Sequence, residues 1–219
     1  MGRDSWHPER IRHSPWGALA LVMLTGLALM RNGADLSPGP PQPVAATSVD
    51  HQKDAPAASV SGPMVKPLAY APVARVAIPS IKADAPVVDV NLDPDGWIEA
   101  PPPQDSNLAG WYRNGIAPGQ LGTSVVVGRV DDLAGPAVFH SLGSLKKGNR
   151  IEISRSDDRV AVFEVYRVEV FAKNDFPGAR VYGDTGKAEL RVITCGGGST
   201  KANGYDGDVV VFARLVGTR

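Results

Sequence analysis

The chain holds one cysteine, Cys195, and it stands where a reactive thiol is useful. The run LRVITC (residues 190–195) reads as a buried strand that ends on the cysteine, and Gly196, Gly197 and Gly198 follow at once. A strand end is a rigid support that opens onto a loop, and glycines let a substrate backbone come close. A thiolate there would be a nucleophile for covalent catalysis. A lone cysteine can also be a small buried apolar residue; the strand end and the glycines favour the nucleophile. No second cysteine or nearby histidine offers ligand spacing, so neither a metal site nor an intramolecular disulfide is expected. No cofactor is expected either.

The thiol needs partners, and the chain offers few. Of the four histidines, His7, His13 and His51 precede the folded part and only His140 falls within it. His140 sits in a segment that reads as a helix (residues 135–145), with Pro136 near its start and Val138, Phe139, Leu142 and Leu145 on one face. His140 lies off that face and is expected to meet solvent. Lys201, in the loop after the cysteine, is a candidate positive charge, although a loop lysine is more often simply solvated. Arg191 and Arg214 lie within strands, and the sequence does not fix which way they point. Trp111 and Tyr112 suit a substrate groove or, more readily, a packed interior.

The elements that must position Cys195 are mostly strands. β-branched runs recur at Val73, Val76 and Ile78, at Val87, Val88 and Val90, over residues 124–128, 150–154, 160–171 and 190–194, and over 209–216. Gly, Pro, Asn or Asp bounds most of them. Seven or eight short strands with few helices imply a barrel or a sandwich. The 24 glycines and 19 prolines suit short strands and turns. The formal net charge of zero gives no support for nucleic-acid binding.

The N-terminal part reads differently. Residues 16–30 (WGALALVMLTGLALM) are apolar and uncharged, preceded by Arg3, Arg10 and Arg12 and closed by Arg31. This is the pattern of a signal peptide or a retained signal anchor. Arg31 and Asn32 suit a cleavage site poorly, which favours an anchor over residues 1–31. The basic flank then sets the N-terminus in the cytoplasm and the rest outside, giving a single-pass membrane protein with an extracytoplasmic domain. Residues 32–72 carry scattered prolines among Ala, Ser, Gly and Asp and read as a semi-extended linker. Residues 73–219 form the folded domain.

Within that domain several motifs occur in order. LRVITC resembles the TLxTC strand of sortases. The Cys195-Gly196-Gly197 continuation and the strand DVVVFA (residues 208–213) resemble the actinobacterial class E/F group, most closely class F. Ala109-Gly110-Trp111-Tyr112, with Pro118-Gly119, is similar to the family's AGWY stretch. Residues 125–131 (VVVGRVD) are similar to its GHVD strand, and residues 135–139 (GPAVF) to the segment after it. The resemblance covers about residues 73–216. It implies a mainly β fold: a closed eight-stranded β-barrel with one or two short helices, preceded by an N-terminal membrane anchor.

The resemblance also implies a reaction. A C-terminal sorting signal of LPxTG type is cleaved between Thr and Gly, the cysteine forms a thioester, and an amine of cell wall or pilus resolves it. The implied partners are proteins carrying that signal, the amine acceptor and the membrane. A histidine and an arginine normally assist. The histidine position falls on Arg129, and the arginine position falls near Asp206 in Tyr205-Asp206-Gly207-Asp208. A guanidinium beside the thiol can lower its pKa but gives up no proton at working pH. Two readings follow: a cysteine transpeptidase with altered, impairing partners, or an inactive sortase-like module that binds peptides or wall proteins without turnover. A cysteine transpeptidase of the L,D type is disfavoured, because Ile193-Thr194 stand where a His and a Gly should precede the cysteine.

Overall fold

The computed structural model describes residues 65–132, 135–195 and 207–219, with Cys195 described by its backbone. The expected membrane segment, most of the linker, Lys201 and Asp206 lie outside the described residues. Among the described residues no helix is long and apolar enough to cross a membrane.

Eight strands close a barrel. In chain order the strands are β1 (Val73–Ile78), β2 (Ala83–Val90), β3 (Ala109–Tyr112), β4 (Gly122–Arg129), the two-residue β5 and β6 (Asp131–Asp132 and Gly135–Pro136), β7 (Arg150–Arg155), β8 (Val160–Ala172), β9 (Ala188–Cys195) and β10 (Gly207–Thr218). The barrel order is β1-β2-β3-β4-β9-β10-β8-β7, and β7 pairs back with β1. β2–β3 and β4–β9 are parallel, and the other barrel pairs are antiparallel. The parallel pairs matter for the site, because they bring the C-terminal ends of β4 and β9 to the same rim.

Side chains alternate across each strand, so one set fills the barrel. Val76, Ile78, Trp111, Val126, Phe163, Leu190, Val192, Val209 and Val211 belong to this inner cluster, all buried. The other parity of β4, β9 and β10 is also buried, in a second cluster that contains Val125, Val127, Ile193, Val210 and Phe212. That outer face is covered by residues after β2 and by the segment between β8 and β9, which includes a five-residue helix (Gly178–Tyr182).

Two features differ from the sequence reading. Ala109–Tyr112 is a strand, held between β2 and β4. The expected helix over residues 135–145 is absent: Gly135–Pro136 pairs with Asp131–Asp132, and only Leu142–Ser144 coils, as a 3-10 turn. The reason is visible in the hydrogen bonds. Ala137 and Phe139 donate their N–H groups to the carbonyls of Val130 and Arg129, at 2.9 and 3.0 Å. An N–H used there is lost to an i→i−4 ladder. The apolar residues behind the helix reading are nonetheless core: Phe139, Leu142 and Leu145 are buried. Residues 65–72, at the end of the proline-rich stretch, lie against the barrel. Leu68 donates to the Gly119 carbonyl at 2.8 Å, and Val65 and Leu68 pack on the core.

Candidate active site

A groove of about 400 Å³ lies on the outer face of β4, β9 and β10, at the rim where β4 and β9 end. Its floor is Val127, Ile193 and Thr194, and Val127 and Ile193 are paired across the parallel β4–β9 ladder. Its walls come from the two connections that cover this face. Asp93, Trp97, Ile98 and Ala100 follow β2, while Lys173, Phe176 and Tyr182 follow β8. The β2 side is shaped by an Asx-type turn, in which the Asp93 carboxylate accepts the N–H groups of Asp95 and Trp97 at 3.0 and 2.8 Å. The β8 side is tied to the barrel by Thr123, whose hydroxyl donates to the Gly183 carbonyl at 2.8 Å.

Two residues beyond Val127 and Ile193, at the last pair of the same ladder, Arg129 is paired with Cys195. Adjacent strands run about 4.8 Å apart, so the sequence-predicted nucleophile position and the sequence-predicted histidine position are backbone neighbours. By the two-residue period, position 129 falls in the row of Val125 and Val127, and position 195 in the row of Ile193; both rows belong to the outer face. Arg129 is held on both sides. Its carbonyl accepts the Phe139 N–H, and its Nε donates to the Pro101 carbonyl at 3.0 Å. Gly128 makes room for this packing, since a β-carbon there would collide with the Phe139 ring and approach Val138 to 2.8 Å.

Asp208 is a groove residue that sequence reasoning passed over in favour of Asp206. It lies on β10 with the parity of the outer-face residues Val210 and Phe212. Burial pushes its carboxyl pKa up, and nearby Lys173 opposes that rise. At the same end of β10 the Val209 N–H is taken by the Thr194 hydroxyl at 2.8 Å. Lys173 and the aromatic residues Trp97 and Phe176 were also missed. Their segments carry no β-periodic signal, and only the closed barrel brings them to the groove beside Ile193 and Thr194.

Other candidates are occupied elsewhere. Arg191 is buried on the outer face, paired with Glu189 at 2.7 Å, donating to the Val181 carbonyl at 3.0 Å and lying 4.6 Å over the Phe212 ring. Arg214 is paired with Glu164 at 3.0 Å. Trp111 is interior packing, and its indole N–H reaches the Ile116 carbonyl at 3.3 Å. Tyr112 packs half-buried against the outer cluster. His140 is half-buried beside Ala137, Val138 and Ser141, where open solvent was expected. Its Nδ1 is buried with no hydrogen-bond partner among the described residues. No group of three or more His, Cys, Asp or Glu among the described residues could hold a metal ion.

The arrangement therefore sets a thiol-bearing strand end between a guanidinium strand and a carboxylate strand, beside a partly aromatic groove. A cation next to a cysteine favours thiolate, and a groove of mixed polarity suits an extended peptide. The family model "Sortase domain" matches residues 76–216. The fold is similar to sortase A of Listeria monocytogenes, with a TM-score of 0.51 and 18% identity over 68% of this chain and 90% of that one. It is similar to the sortase SrtA of Actinomyces oris, with a TM-score of 0.51 and 16% identity over 74% and 89% of the two chains. Sortase C-1 of Actinomyces oris matches with a TM-score of 0.50 and 22% identity over 67% and 75%. At these identities the structural likeness establishes the fold. No curated protein matches the chain by sequence.

Proposed function

The chain belongs to the sortase family, and from that premise we propose that it is a cysteine transpeptidase of the class E/F type, most like class F. It cleaves an LPxTG-like C-terminal sorting signal and joins the carboxyl side to a cell-surface amine through a Cys195 thioester. The observation that carries this reading is the pairing of Arg129 with Cys195 at the rim of the groove. Arg129 favours the thiolate, because its guanidinium stays charged at any working pH. It cannot perform the proton transfers of the histidine implied at its position. A histidine there would supply positioned acid–base help from β4, so turnover is slower than in a relative that has one. The enzyme is held at the membrane by residues 1–31, with the folded domain on the extracytoplasmic side.

One observation favours a second reading, a sortase-like module that binds sorting-signal peptides without turnover. Arg129 commits its Nε to the Pro101 carbonyl, which limits how far the guanidinium can swing toward a thiolate.

The test is incubation with an LPxTG-type peptide and an amine, with mass spectrometry for an acyl adduct, in wild type, Cys195→Ala and Arg129→His. The transpeptidase reading expects a Cys195-dependent adduct in wild type and faster turnover in Arg129→His. An adduct in Arg129→His alone would establish the non-turnover module.

A further inference from the structure

Three strand ends lie side by side at this rim. β4 contributes Arg129, paired with Cys195 of β9. On the other side of β9, Val210 of β10 is paired with Ile193. Just beyond that pair the Val209 N–H bonds to the Thr194 hydroxyl at 2.8 Å, which holds the start of β10 against the end of β9. Asp208 also lines the groove with Ile193 and Thr194. The strand end that carries Cys195 thus lies between a strand that ends on a permanent cation, Arg129, and a strand that begins near a titratable carboxyl, Asp208.

We propose that Asp208 is the proton carrier for acyl transfer at Cys195, the task that Arg129 cannot perform. This rests on the reading of Cys195 as the acylated nucleophile. The reactive form is a Cys195 thiolate beside Arg129 with Asp208 as a neutral acid. The thiolate attacks the scissile carbonyl, the C–S bond forms, and the carbonyl π pair moves to oxygen. On collapse the C–N bond breaks, and the leaving amine departs with the Asp208 proton, leaving a thioester and an Asp208 carboxylate. In the second half a neutral acceptor amine attacks the thioester, the carboxylate takes its proton, and the C–S bond breaks to restore the thiolate. Charge, protons and bonds balance, and nothing is oxidised.

The environment of Asp208 suits that task. Burial raises its affinity for the proton, and Lys173 keeps the carboxylate accessible when the proton leaves. The other charged or titratable groups of the groove are Asp93 and Tyr182 on its walls, with Arg129 on β4 beyond Cys195. Phe171, the β8 partner of Asp208, brings no charge.

The experiment compares wild type, Asp208→Asn and Asp208→Glu as full chains in detergent, with two probes. One is a Leu-Pro-Ala-Thr-Gly peptide, whose amide leaving group needs a proton. The other is the same Leu-Pro-Ala-Thr acyl group as an aryl thioester, whose leaving group needs none. Asp208→Asn is expected to lose about 10²–10⁴-fold in peptide cleavage and the decline of rate with rising pH, while thioester acylation of Cys195 falls far less. Asp208→Glu is expected to recover part of the peptide rate. Equal losses with both probes, or an unchanged pH profile in Asp208→Asn, would overturn the assignment and leave the transpeptidase intact. If wild-type Cys195 is acylated by neither probe, the transpeptidase reading itself fails, and the assignment with it.

Discussion

Trp97 and Phe176 meet edge to face across the groove, with ring centroids 5.5 Å apart and planes at 77°. They come from opposite walls, the connection after β2 and the connection after β8. Phe176 also touches Phe171 at 5.9 Å and Tyr182 at 5.7 Å, so one ring joins both walls to the end of β8.

Phe176→Ala is therefore expected to loosen the groove more than the barrel. An aromatic pair contributes about 1 kcal/mol beyond its buried area, and 1.4 kcal/mol is about tenfold in affinity. Peptide KM should rise by about fivefold per lost pair, while the urea midpoint moves little. Steady-state kinetics beside urea unfolding checks this. A collapse of stability with unchanged KM would make Phe176 a core residue and not a wall of the site.

The Glu189–Arg191 pair makes a prediction about stability. Both side chains are buried on the outer face, under Val181 and beside Phe212. Removing one partner of a buried pair strands the other charge, at about 3–5 kcal/mol. Arg191→Met and Glu189→Gln should each lower unfolding free energy strongly. The double variant should lose less than the two single losses added together. A double-mutant cycle in urea measures the coupling, and simple additivity would count against the pair.

Tyr166 supplies the pH dependence. Its hydroxyl donates to Glu189 Oε2 at 3.0 Å, and its pKa is pushed up to about 12, chiefly by burial, with Arg191 pulling the other way. An unfolded tyrosine ionises near 10. Below about pH 10 both states hold the proton, and the contribution to stability is fully present. Between about pH 10 and 12 the unfolded chain ionises first, so stability is lost as pH rises. Wild type should accordingly lose more stability than Tyr166→Phe between pH 9 and pH 11.5. Equal losses in the two proteins would place Tyr166 in solvent contact.

Much of the barrel is legible in the sequence because valine-rich runs such as VVVG and VVVF have few other ways to be buried. β3 is not, since Ala109 and Gly110 are poor strand formers and become a strand only between two neighbours. The helix reading of residues 135–145 failed because an apolar i, i+3, i+4 pattern also fits residues that plug a barrel end, as Phe139 does against Gly128. Arg191 could not be oriented from LRVITC, because β9 is buried on both faces and its alternation carries no inside–outside signal. Asp208 is hidden for a related reason. Two aspartates stand close together in YDGD, and only the folded barrel shows that Asp208 lines the groove.

The parallel pairing of β4 with β9 has a consequence for how the chain comes to life. Arg129 and Cys195 are sixty-six residues apart, and the barrel strands β7 and β8 are synthesised between them. Such distant pairings form late and make folding slow. If Cys195 is the nucleophile proposed above, a newly made chain carries an ordinary thiol until the last strands have closed. On that reading folding itself is the step that arms Cys195.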